Sequence, residues 1–116
     1  MVRLEVTGLP ERPSEAAAVF YGEWMDKAKA LLAPPCSGED LTLIFPPADH
    51  THSGWRLAAV QTLAREAAPL RVNAVASDDP AAITAALAYL ATAEGLTGQY
   101  LPLDSAGAGA VVSPVP

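Results

Sequence analysis

Apolar and polar positions follow two different periods along this chain. Val2, Leu4 and Val6 alternate with Arg3, Glu5 and Thr7, which predicts a strand over 2–9. Pro10 to Pro13 end it, and Ser14 is placed to cap a helix running to about Leu32. In that helix Phe20, Trp24, Ala28 and Leu31 recur at helical spacing, and Tyr21, Met25 and Leu32 widen the apolar face. Its acidic residues come early and its lysines late, which suits the helix dipole, and Pro34-Pro35 stops it. After a loop over 36–40, Leu41 to Phe45 (LTLIF) is an unbroken apolar run, as expected of a strand covered on both faces. PPADHTHSG is a loop rich in turn formers. A second helix over 54–68 has polar residues only at Arg56, Gln61, Thr62, Arg65 and Glu66. Its apolar residues cover more than one side, so it is expected to be buried on two sides. LRVNAVA, 70–76, reads as a third strand. Asp79 and Pro80 then form a strong helix start, cap followed by first helical position. The third helix, 81–93, carries Ile83, Ala86, Leu87 and Leu90 on one face, and Gly95 ends it. TGQYLPLD, 97–104, is the last strand, expected at a sheet edge because Pro102 cannot donate to a ladder.

The order is β-α-β-α-β-α-β. Such alternation predicts an α/β fold in three layers: a parallel sheet of about four strands, right-handed crossovers and helices on both faces. A single domain over 1–104 is expected, with a small-residue tail over 105–116 that reads as flexible. Ligands of such folds bind beyond the carboxyl ends of the strands. Those ends fall near Thr7–Pro10, Pro46–Ser53, Ala76–Asp79 and Asp104–Gly107.

Composition narrows the function. With 116 residues the chain can bury a core without disulfides or metal. Hydrophobic residues make up 51% and aromatics only 6%, so Ala, Leu and Val must fill that core. A domain packed this way gains from burying more surface against a partner. The net charge is -6, and seven basic residues are scattered along the chain, which disfavours nucleic-acid binding. Cys36 is the only cysteine, so no intrachain disulfide or CxxC pair can form. The start lacks a signal-peptide core, and no apolar run has the length of a membrane span. A soluble cytoplasmic protein without membrane contact is expected.

Four pieces in order carry a resemblance: LAAVQTLAREAAP from Leu57, RVNAVA from Arg71, LAYLATAEG from Leu87 and TGQYLPLD from Thr97. The stretch Leu57 to Asp104 resembles the C-terminal half of the short-chain dehydrogenase/reductase family. That family has L-A-x-E-L-A-P, R-V-N-A-V-x-P-G, F-L-A-S and T-G-Q-x-L-x-V-D-G-G in the same order. Residues Val2 to Phe45 would correspond to its fourth strand, fourth helix and fifth strand. The resemblance implies a truncated Rossmann-like domain. The family's Gly-rich turn for the dinucleotide has no counterpart, since no GxxxGxG or GxGxxG occurs. Aligned on Leu63-Ala64, Asp49 stands at the family's catalytic Tyr and Ser53 at its Lys. The catalytic Ser falls near Pro46-Pro47, and the Pro-Gly after R-V-N-A-V is Ser77-Asp78. A carboxylate replaces a phenol poorly as proton donor at neutral pH. Hydride chemistry by this chain alone is therefore not expected, and neither is binding of NAD(H) or NADP(H), unless a partner chain supplies the nucleotide-binding half. In the family, the fourth and fifth helices of two subunits form a bundle. A homodimer or larger homo-oligomer through helices 14–32 and 54–68 is implied, with Phe20, Trp24, Trp55, Ala59 and Thr62 in or beside the interface. An intact short-chain dehydrogenase is the alternative partner, reached through the open edge at 2–9.

Candidate chemistry is sparse. Asp49, His50 and His52 form the one polar cluster at an expected site edge. They could be an acid–base or metal pair, although no third ligand is evident. They read more simply as a solvated turn that starts a helix, with His52 or Ser53 near the cap. Cys36 has no histidine close in sequence to act as its base. Asn73 reads as a structural hydrogen-bonding residue.

Overall fold

The computed structural model describes residues 1–33 and 38–103; Cys36 and the 105–116 tail lie outside them. The elements are β1 (Val2–Glu5), α1 (Pro13–Val19), a π-helical turn (Phe20–Trp24), α2 (Met25–Leu32) and β2 (Leu41–Phe45). A 3₁₀ turn (His50–His52), α3 (Ser53–Ala67), β3 (Val72–Ala76), α4 (Pro80–Thr92) and β4 (Tyr100–Pro102) follow. All strands are parallel and lie in chain order, β1-β2-β3-β4. The α/β fold is the one the alternation predicts, a Rossmann-like parallel sheet with helices interleaved. Pro102 does lie in an edge strand.

Side-chain alternation divides the sheet into two faces. Leu41, Leu43, Phe45, Val72, Ala74 and Ala76 point to the first face and pack with Phe20, Met25 and Ala28 and with Ala59, Val60 and Leu63 of α3. Ile44 and Val75 point to the second and pack under Ile83, Ala86 and Leu90 of α4. Because the strands are parallel and sequential, every connection steps the same way across the sheet. Its hand then depends only on which face its helix covers. The connection through α4 therefore has the opposite hand to the two before it. The expectation of right-handed crossovers throughout fails: chain-order strands with helices on both faces cannot share one hand.

The first long helix also departs from the sequence pattern. Pro13, not Ser14, opens it, because proline's fixed φ suits the first helical position; Arg12 sits at the cap without a side-chain bond. At Phe20–Trp24 the helix widens, and the Met25 N–H bonds the Phe20 carbonyl. That extra residue turns Met25 inward with Phe20 and Ala28, and leaves Trp24 half-buried with the Lys27 Nζ 4.3 Å from its ring centroid.

The amino end of the sheet is fastened by Arg71. Its Nε donates to Asp40 Oδ2 at 2.8 Å and its backbone N–H to Oδ1 at 2.8 Å. Its Nη1 reaches the Leu90 and Ala93 carbonyls at the end of α4. Asn73 is buried as a structural residue, donating to the Leu96 carbonyl at 3.0 Å and accepting from the Gln99 N–H at 3.1 Å. Among the described residues no helix is long and apolar enough to cross a membrane.

Candidate functional site

A cavity of about 560 Å³ opens at the carboxyl ends of the first two strands. The chain after β1 (Leu9, Pro10, Glu11), the chain after β2 (Pro46 to Asp49) and the start of α3 (His52, Arg56) line it. Pro46 and Pro47 end β2 because they cannot extend its ladder. Asp49 then caps the 3₁₀ turn, accepting from the Thr51 N–H at 3.0 Å and from the Thr51 hydroxyl. The Thr51 hydroxyl, and then its N–H, hold the Asp49 carboxyl below its ordinary pKa. At neutral pH it is ionised and has no proton to give.

His52 is buried, and both ring nitrogens are engaged. Nδ1 accepts from Trp55 Nε1 at 3.0 Å, so the proton sits on Nε2, which donates to the Glu11 carbonyl at 2.9 Å. The ring thus ties the α3 start to the chain after β1 and is not free for proton transfer. His50 is exposed on the same turn. Among the described residues no three His, Cys, Asp or Glu side chains gather as a metal site.

Arg56, one of the few polar residues of its helix, is the site's most unusual member. Arg56 is 2% exposed. Its Nη1 donates to the Pro46 carbonyl at 2.9 Å and to the Tyr100 hydroxyl at 3.0 Å. Its guanidinium carbon lies 4.6 Å from the Phe45 ring centroid, 5.7 Å from Trp55 and 5.9 Å from Tyr100. No carboxylate pairs with it among the described residues, and Nε has no hydrogen-bond partner. A spacing signal existed: Arg56, Val60 and Leu63 recur as one inward stripe with His52 a turn earlier. Residue type concealed it, because an arginine in a helix usually faces water.

The residues expected at an interface divide in two. Phe20 and Ala59 are fully buried in the chain's own core. Trp24, Trp55 and Thr62 are half-buried; Trp55 packs on Phe20 and Phe45, and the Thr62 hydroxyl bonds the Ala58 carbonyl. The exposed positions of α3 between Ser53 and Ala64 are Gly54, Leu57, Ala58 and Gln61.

The strand ends do not fit a dinucleotide. Such a ligand needs a glycine-rich turn that aims free N–H groups of a helix start at the pyrophosphate. Here Asp79 accepts from the Ala81 N–H at the start of α4, Asp49 occupies the turn before α3, and prolines open α1 and α4. Carboxylates at two of these starts would repel phosphate.

A family model described as "Short chain dehydrogenase-like protein" matches residues 4–103. With nearly the whole described chain covered, the protein belongs to this short-chain-dehydrogenase-like family. No match was found among curated proteins or among solved structures.

Proposed function

We propose that the chain is a non-catalytic short-chain-dehydrogenase-like protein that works by association, first with a second copy of itself. On this reading it corresponds to the C-terminal half of the family's domain, which the four motif pieces and the strand order support. An ionised, capping Asp49 at the family's Tyr position supports the absence of carbonyl chemistry.

The observation that carries the reading is an inversion on α3. Its only charge before Arg65, Arg56, faces inward, while Gly54, Leu57, Ala58 and Gln61 face out. An outer face without charge from Gly54 to Gln61, led by an exposed Leu57, suits a protein contact better than water. Tyr21, in the π-helical turn, is exposed as well. Sedimentation velocity at micromolar concentration is expected to give a dimer, and Leu57→Glu is expected to give monomer with its circular dichroism unchanged. A wild-type chain that sediments as a monomer ends the proposal.

One observation favours a heteromeric reading. α4 covers only part of the second face, leaving a groove of about 420 Å³ beside Arg3, Glu5, Thr7 and Ile44. The Val2 and Val6 N–H groups bond inward, so those of Arg3 and Glu5 point away from the sheet. A chain carrying the nucleotide-binding half could add strands there, which would make the pair an NAD(P)-dependent oxidoreductase. Recovery of a partner with a glycine-rich turn and a Tyr-x-x-x-Lys by co-purification tests it, and purification with no such chain counts against it.

A further inference from the structure

We infer that Arg56 is the anchor of a binding site for a small monocarboxylate, seated in the cavity at the carboxyl ends of β1 and β2. The inference goes beyond association and does not depend on it.

A guanidinium that is 2% exposed must find compensation for its lost water. The protein supplies part of it. Pro46 and Tyr100 take both protons of Nη1, and the faces of Phe45, Trp55 and Tyr100 surround the charge. Nothing among the described residues neutralises it, and the Nε proton is orphaned. With Nη1 taken, Nη2 and the buried Nε are left, two parallel N–H groups at carboxylate spacing, of which Nε is reached only when the wall over it yields. Arg56 lines the cavity, whose volume of about 560 Å³ is that of a small-molecule pocket.

The walls define the rest of the ligand. Leu9, Pro10, Pro46 and Pro47 are apolar and suit a hydrocarbon or aromatic body. Glu11 and Asp49 are exposed members of the same lining, and their charges act against a dianion such as phosphate. His52 adds no positive charge, since its ring is neutral and both nitrogens are bonded. One negative charge answers Arg56 while meeting less repulsion from Glu11 and Asp49 than two would, and an apolar body suits Leu9 and the prolines.

Benzoate is the probe, titrated into the isotope-labelled full chain while the Arg56 Nε–H resonance is followed. Benzamide serves as the neutral isostere and inorganic phosphate as the dianion. The expected result is a saturable shift of that resonance with a dissociation constant on the order of millimolar. Benzamide is expected to bind at least roughly tenfold more weakly, and phosphate to leave the resonance in place. Arg56→Gln should abolish binding, and Arg56→Lys should weaken it, because an ammonium lacks the fork. An Arg56 Nε–H that does not move up to tens of millimolar benzoate overturns the inference. So does benzamide binding as well as benzoate, phosphate binding in preference, or undiminished binding to folded Arg56→Gln. If either variant fails to fold, the wild-type titration with its two comparators decides alone.

Discussion

Two partly or wholly buried arginines mark opposite ends of this sheet, and the protein treats them differently. Arg71, at the amino end, has a carboxylate in two-point contact and two carbonyls from the end of α4. Arg56, at the carboxyl end, has one carbonyl, one phenol and aromatic faces, but no acid. The first arrangement is complete in itself and joins β2, β3 and α4. The second has donors left over beside a cavity. An ion pair closed within the chain holds a fold together, whereas a desolvated charge without one costs stability unless something from outside answers it. The difference separates an end whose charge is closed within the chain from an end whose charge is not.

The same substitution at both positions breaks or sharpens that contrast. Arg71→Met keeps the backbone N–H bond to Asp40 Oδ1 but leaves Oδ2 and the α4 carbonyls without their donor, and is expected to cost about 2 kcal/mol. For a domain of this size that lowers the melting temperature by roughly 5 to 10 °C. Arg56→Met removes a charge that was never paired, exchanging two hydrogen bonds for relief from desolvation. Its cost is expected to be about 1 kcal/mol or less. Thermal melts of both variants, read by circular dichroism, decide the matter. Equal losses at the two positions would mean that Arg56 is as structural as Arg71.

The smallest effect concerns Asp49, on the rim of the open end. Its folded-state pKa lies below the ordinary 3.8 because of the Thr51 hydroxyl and N–H. The stability from its ionised form is therefore present above pH 3.8 and is lost as pH falls through the lower, folded value. Asn can still cap the turn but carries no charge. Wild type should thus exceed Asp49→Asn by a small margin at neutral pH, and the margin should vanish in acid. A margin that persists unchanged at the lowest pH where both remain folded would contradict the hydrogen-bonded carboxylate.

The elements that sequence reveals here are those with one dominant local cause. LTLIF and VNAVA are apolar without interruption because both sheet faces are covered, and Asp79-Pro80 starts α4 through a cap and a fixed φ. What stays hidden depends on distant geometry. Phe20 could be followed on the buried face by Trp24 or Met25, which are both large and apolar; only the π turn chooses Met25. The hand of the last crossover is set by which sheet face α4 covers, and α4 is apolar enough to suit either. At the site, the Asp49–His50–Thr51–His52 cluster is visible as polar residues in a loop. That His52 is engaged by Trp55 and Glu11 depends on chain segments far apart in sequence. Arg56 is the clearest case: its spacing points inward, its chemistry points outward, and the tertiary structure favours the spacing.

The sequential order of the strands bears on how the molecule is made. Register pairs Val2 with Leu41, Leu41 with Val72 and Ala74 with Tyr100. Each strand is laid beside the one synthesised just before it, and no strand must be inserted between two already joined. Each closure also spans fewer residues than the last, so the entropy of bringing the ends together falls as the chain lengthens. Assembly can follow the order in which residues leave the ribosome, with one margin of the sheet advancing and the other, β1, left as it was first laid down. Within the described residues β1 is therefore in place before α3, α4 or the cavity exists.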